Sequence, residues 1–173
     1  DTIVHMASAT KLISAGTILS VADSGTYALD DRVGDYLPLM QSQGKGDITI
    51  RQCFSMTSGL YDQSQNFEIN SGLTLEQSVN RIALFTPIVY ESGTQMAYHG
   101  KGMQVAGLIA QNETGLDWYS LAQQRVFIPC GMSSTTYDEF GVNPAIAGGA
   151  RSTANDYLRY LQMIADGGVC NGQ

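Results

Sequence analysis

Ser8 and Lys11, close to the start of the chain, form its most reactive pairing. On a helix, side chains at this spacing project from one face, one turn apart. An amine so placed can take the proton of the hydroxyl and turn it into a nucleophile for acyl transfer. The bare pattern is weak, because a helix-capping serine followed by a solvent-facing lysine looks the same. With only three lysines in the chain, one other match exists, Ser42 to Lys45. It reads Ser42-Gln43-Gly44-Lys45 with Gly46 behind it, a composition not expected to stay helical across the pair. His5 and His99 are the only imidazoles, and Cys53, Cys130 and Cys170 match no metal spacing. Neither a metal site nor a cofactor is expected.

Elements must hold these groups in place. Leu12, Ile13, Ala15, Leu19 and Ala22 recur at helical spacing and predict a helix over 8–23 that packs through one broad face. Gly16 costs such a helix about 1 kcal/mol relative to alanine, which predicts a closely approaching neighbour. Asp30, Asp31 and Pro38 mark a turn-rich connection, and 41–47, with its two glycines, reads as an exposed loop. A short apolar helix is expected through Cys53, Phe54 and Met56, and the polar span 61–72 reads as a mobile flap. Thr74 with Gln77 has the capping-box spacing, ahead of a buried stripe of Leu75, Val79, Ile82 and Ala83. Further helices are predicted over 102–111, 117–127 and 153–166. The last has Tyr157, Leu158, Leu161 and Ile164 on one side, and Asp156 near its positive end.

The 173 residues fit one domain, and the apolar share of 43% is ordinary for a folded protein. A net charge of -7, with no basic block, argues against nucleic acid as a partner. No apolar run is long enough to span a membrane, and the first residues lack the pattern of a signal peptide. The three cysteines are consistent with isolated thiols, or with a single bridge such as Cys130 to Cys170 in an oxidising compartment.

Six segments carry a likeness in their order. They are Met6-Ala7-Ser8-Ala9-Thr10-Lys11; Asp30-Asp31 through Tyr36-Leu37-Pro38; and Ile48-Thr49-Ile50-Arg51 continuing to Thr57-Ser58-Gly59-Leu60. Then come Glu91-Ser92-Gly93-Thr94 with Met96-Ala97-Tyr98-His99-Gly100; Ile128-Pro129-Cys130-Gly131-Met132 with Thr135; and Gly148-Gly149-Ala150-Arg151-Ser152-Thr153. In this series the sequence resembles the serine β-lactamase and penicillin-binding-protein-like superfamily, in its class C β-lactamase, D-aminopeptidase and carboxylesterase branch. Two positions depart from the family pattern: Met56 stands where a histidine is usual, and Gly100 where an asparagine is usual.

The resemblance implies a mainly α fold, the helical lobe of that superfamily, with most of the α/β lobe and its KTG-like third motif outside the chain. On this reading residues 1–173 are a single partial domain, truncated at both ends. It implies Ser8 as nucleophile, with Lys11 and Tyr98 sharing the proton transfers. Gly100 marks the substrate-binding position without a side chain to use there. His99 is the neighbour that could turn inward, against the plainer reading of an exposed imidazole. The implied function is a serine hydrolase acting through an acyl-enzyme on an ester, amide or β-lactam, esterase- or peptidase-like chemistry being favoured. The alternative is a catalytically degenerate domain with a binding role. The partners implied are a small-molecule or peptide-like acyl substrate, together with a complementary fragment or a second copy over an exposed apolar face. The compartment implied is periplasmic or extracellular.

Overall fold

The computed structural model describes residues 1–138 and 141–170. Among them the regular structure is helical apart from two short strands, as the one-sided apolar patterns predict. The first helix, α1 (Thr10–Asp23), is entered through one 3₁₀ turn, Ala7–Ala9, which contains Ser8. Ahead of it β1 (Val4–His5) pairs antiparallel with β2 (Arg151–Ser152), Val4 facing Ser152 and His5 facing Arg151. This clamp lays the approach to Ser8 against the glycine-rich passage at 148–149.

Of the larger residues in the predicted stripe of α1, only Ile13 is in the core. The buried residues are Thr10, Ile13, Ser14, Thr17, Ile18 and Val21, whereas Leu12 and Leu19 are exposed, Leu19 at 51%. A hydroxyl is cheap to bury once it is hydrogen-bonded. Ser14 Oγ donates to the Ile146 carbonyl at 2.6 Å and lies 2.7 Å from the Tyr137 hydroxyl. Thr10 Oγ1 accepts from the Ala150 amide at 3.2 Å. The last helix, α8 (Ala154–Ala165), repeats the inversion: Asp156 and Tyr160 are buried, while Leu158, Leu161 and Ile164 are exposed. Tyr160 reaches across to donate to the Leu12 carbonyl at 2.5 Å. A Cβ on Gly16 would sit 2.5 Å from that tyrosine hydroxyl, which is the close neighbour the glycine predicts. A groove of about 920 Å³ remains between the outer sides of α1 and α8.

Two helical turns, α2 (Val33–Tyr36) and α3 (Pro38–Ser42), occupy the expected turn-rich connection. Pro38 opens α3, where its missing N–H costs nothing. The next segment, expected as an exposed loop, buries Lys45 and Gly46. The Lys45 amine donates to the carbonyl of Ala83, one of those at the end of the next long helix that lack a helical partner. α4 (Ile50–Phe54) starts from a capping box of Thr49 and Gln52. α5 (Leu75–Phe85) starts from the expected box of Thr74 and Gln77 and buries the expected stripe. α6 (Lys101–Thr114) is the central helix, buried on every side from Lys101 to Ala110. α7 (Trp118–Ala122) runs into a π-helical turn, Gln123–Phe127, and together they fill the helix predicted over 117–127. Cys130 and Cys170 form a disulfide, and Cys53 is a buried free thiol. Among the described residues no helix is long and apolar enough to cross a membrane.

Candidate active site

Ser8 is held from both directions. The Met6 amide donates to the Ala150 carbonyl at 2.9 Å, and the Ala9 amide closes the turn onto the Met6 carbonyl at 3.0 Å. Between them Ala7 takes φ 43°, a left-handed conformation costly for a residue with a side chain. From the first turn of α1, Lys11 Nζ donates to Ser8 Oγ at 3.1 Å and to the Ala147 carbonyl at 2.8 Å. The predicted pair is therefore assembled.

Tyr98 joins it. Lys11 Nζ lies 4.7 Å from the centroid of its ring. A hydrogen bond from Ser8 holds the Tyr98 hydroxyl below the usual tyrosine range, with Lys11 adding to the effect and desolvation opposing it. The backbone beside the ring is pinned by the Ala97 amide, which donates to the Met56 carbonyl at 3.0 Å. Met56 reaches this position with φ 59°. Ala145, in the segment that turns back toward Lys11, has φ 47°. Ala7, Met56 and Ala145 thus concentrate backbone strain around one site, as functional sites often do.

A cavity of about 270 Å³ opens here, its walls including Ser8, Lys11, Glu68, Ile69, Gly100 and Ala147. Gly100 has no room for a side chain: a Cβ would lie 2.8 Å from the Ala147 methyl and 3.4 Å from Glu68 Cγ. His99 has turned inward, but toward the helix and not into the cavity. Its Nδ1 accepts from the Lys101 amide at 3.2 Å, covering one of the open donors at the start of α6. Burial holds its pKa down to about 4, with Lys101 and then Lys11 adding to the effect. The ring is therefore neutral at ordinary pH.

Glu68 is the site residue that sequence reasoning missed. It lies in a 3₁₀ turn, Phe67–Ile69, inside the span read as a mobile flap. That span is tied down instead. Asn143 Nδ2 donates to the carbonyls of Phe67, Glu68 and Asn70 at 3.1, 3.4 and 3.2 Å, and Ser78 Oγ donates to the Phe67 carbonyl at 2.9 Å. Lys101, only 1% exposed, donates to the Gln65 carbonyl at 2.6 Å and pairs with the Glu68 carboxylate at 3.3 Å. The one signal in the sequence is the apolar pair Phe67 and Ile69 on either side of it, in an otherwise polar stretch.

With this geometry in view, comparison with known proteins is specific. The Beta-lactamase family model matches residues 1–171. Penicillin-binding protein 4 of Amycolatopsis lactamdurans is 24% identical, the match covering 98% of this chain and 52% of that protein. The D-alanyl-D-alanine-carboxypeptidase/endopeptidase AmpH of Escherichia coli K12 is 25% identical, over 94% of this chain and 49% of that protein. Among solved structures, a protein from Bacteroides dorei DSM 17855 assigned as a β-lactamase superposes with a TM-score of 0.88 at 32% identity, over all of this chain and 53% of its own. The D-amino acid amidase of Ochrobactrum anthropi SV3 shares the fold, with a TM-score of 0.82 at 22% identity over 98% of this chain and 56% of its own. The chain spans about half the length of these relatives.

Proposed function

The chain belongs to the Beta-lactamase family, and we propose that the protein containing it is a serine hydrolase that passes an acyl group through Ser8. The observation that carries this reading is the 3.1 Å contact from Lys11 Nζ to Ser8 Oγ, made beside Tyr98. Ser8 Oγ attacks the carbonyl carbon of the substrate while its proton passes to the Tyr98 oxygen, whose lowered pKa suits it to the task. The Lys11 ammonium stabilises the phenolate form of Tyr98 and orients the serine oxygen. The leaving group departs with the proton from Tyr98. Water then attacks the acyl-enzyme with Tyr98 again as base, which regenerates Ser8.

Small esters suit this site better than β-lactams, because Gly100 offers no side chain to orient a substrate amide. The relatives include a carboxypeptidase/endopeptidase and acyltransferases, and an acyl group on Ser8 serves either chemistry, passing to water or to another acceptor. The Cys130–Cys170 disulfide supports a periplasmic or extracellular setting, since such bridges persist in oxidising compartments. The apolar outer side of α1 and α8 is a surface we expect to be covered in the working protein, by a complementary segment or a second copy.

The test is intact mass and peptide mapping after exposure to a p-nitrophenyl ester and to a penicillin. Acyl adducts on Ser8, faster with the ester, are expected. Gly100 is the one observation favouring a second reading, a degenerate domain that binds without turnover. Failure of every such reagent to acylate Ser8 selects that reading.

A further inference from the structure

We infer that Glu68 is the binding group for a positively charged nitrogen on the acyl portion of the substrate, close to the scissile carbonyl. This rests on the acyl-transfer reading of Ser8 and deepens it. The cavity beside Ser8 holds one carboxylate among its lining residues, and that carboxylate is Glu68. Its side chain is 13% exposed, and the cavity is where it opens.

The pairing with Lys101 does not use the carboxylate up. Lys101 Nζ makes its short contact to the Gln65 carbonyl, at 2.6 Å, and stands 3.3 and 3.4 Å from the two Glu68 oxygens. Charge-assisted contacts normally close to about 2.7–2.9 Å. A carboxylate has about four acceptor positions, so capacity remains on the cavity side. In the Lys101–Glu68 pair the ammonium is buried and the carboxylate is the member that lines the cavity.

The backbone that carries the carboxylate is also held in place. Asn143 and Gln104 both donate to the Glu68 backbone carbonyl at 3.4 Å. Gln104 in turn accepts from the Ile146 amide at 3.0 Å, next to the Ala147 wall. Acceptors fixed before binding lose little entropy on taking a ligand. Gly100 completes the arrangement. With Glu68 Cγ 3.4 Å from where its Cβ would be, any side chain there would stand against the carboxylate. The ligand class that fits is an α-amino acyl compound, with an ammonium beside the carbonyl that Ser8 attacks.

The experiment uses the natural protein containing this chain, in its Ser8→Ala form so that nothing turns over, titrated with alaninamide and with N-acetylalaninamide by calorimetry. The free amine should bind about 10-fold or more tightly than the acetylated compound, the range a hydrogen bond to a charged group supports. Glu68→Gln should bring the ratio to about one, and Glu68→Asp should recover part of it. Equal binding by the Ser8→Ala protein, or a preference that survives Glu68→Gln, overturns the assignment. If Glu68→Gln unfolds because Lys101 loses its partner, Glu68→Gln combined with Lys101→Met removes both charges, and the same ratio is read. In the Ser8 protein, the p-nitrophenyl esters of alanine and N-acetylalanine should show the same preference in kcat/KM. Should neither ester acylate Ser8, the hydrolase reading fails, while the titration still decides Glu68.

Discussion

Ser8 with Lys11 and Ser42 with Lys45 share one spacing, and the fold treats the two pairs in opposite ways. At the first, the lysine amine donates to the serine oxygen at 3.1 Å, on the wall of a cavity. At the second, the Lys45 amine is buried against the Ala83 carbonyl, and Ser42 Oγ bonds back to the Leu39 carbonyl at 3.0 Å. The difference lies in the backbone on the C-terminal side of each serine. Ser8 stands ahead of a 14-residue helix, so Lys11 falls one turn on, over the same face. Ser42 is the last residue of α3, and Gly44 at φ 68° then turns the chain away, carrying Lys45 into the protein. A reactive pair needs a continuing helix more than it needs the two residue types.

The largest expected effect breaks or keeps this contrast outright. Ser8→Ala should abolish covalent labelling by an activated ester, while Ser42→Ala should leave it intact, as peptide mapping would show. Labelling that persists in Ser8→Ala and disappears in Ser42→Ala would reverse the assignment of the two pairs.

Next come the lysines. Lys11→Ala should slow acylation by about 10²–10³-fold, the range for removing one oriented charge or donor from a developing anion, because the Tyr98 oxygen loses the ammonium beside it. Lys45→Met should instead act on stability. It leaves the Ala83 carbonyl without its amine, at a cost of about 1–3 kcal/mol read from denaturant unfolding. The acylation rate per folded molecule should not change. A comparable rate loss in Lys45→Met would erase the distinction.

The pH dependence sharpens it further. With the Tyr98 pKa held below 10 chiefly by the hydrogen bond from Ser8, the acylation rate should rise with pH through that lowered value and then level off. Tyr98→Phe should slow the reaction and remove this rising limb, which a stopped-flow pH series would detect.

The smallest effect is electrostatic reach. Lys11 is one of the two charges that add to burial in lowering the His99 pKa to about 4. Lys11→Met should raise the His99 pKa slightly in an NMR titration, and Lys45→Met should leave it unmoved. Because the folded value lies below the unfolded one, near 6.5, the stability tied to neutral His99 is fully present above pH 6.5. It declines as pH falls toward about 4, and urea midpoints across that range would trace it.

Local signals were legible wherever their cause was local. The start of α1, the Thr74–Gln77 box and the Ser8–Lys11 pairing depend on residues within a turn of one another. Gly16 was legible as a demand for a close neighbour, although only the fold names Tyr160 as that neighbour. The Thr49–Gln52 box was equally local and went unread. The joining of Tyr98 to the pair came from resemblance to a family, since nothing in the spacing of residues 8, 11 and 98 requires it.

Residue types and spacing by themselves determined that this chain would be mainly helical, that its helices would begin near where they do, and that Ser8 and Lys11 would share a face. The cause in each case is backbone hydrogen bonding and side-chain geometry over three or four residues. Only the tertiary structure decided which side of each helix is buried. Ser14 is welcome in the core because the Ile146 carbonyl, 132 positions away, accepts its proton, and Tyr160 finds Leu12 across 148 positions. Glu68 becomes a wall of the cavity beside Ser8 for the same reason: Lys101 and Asn143 pin it from distant parts of the chain. Burial of a polar group is settled by its partner, and that partner is supplied by the fold.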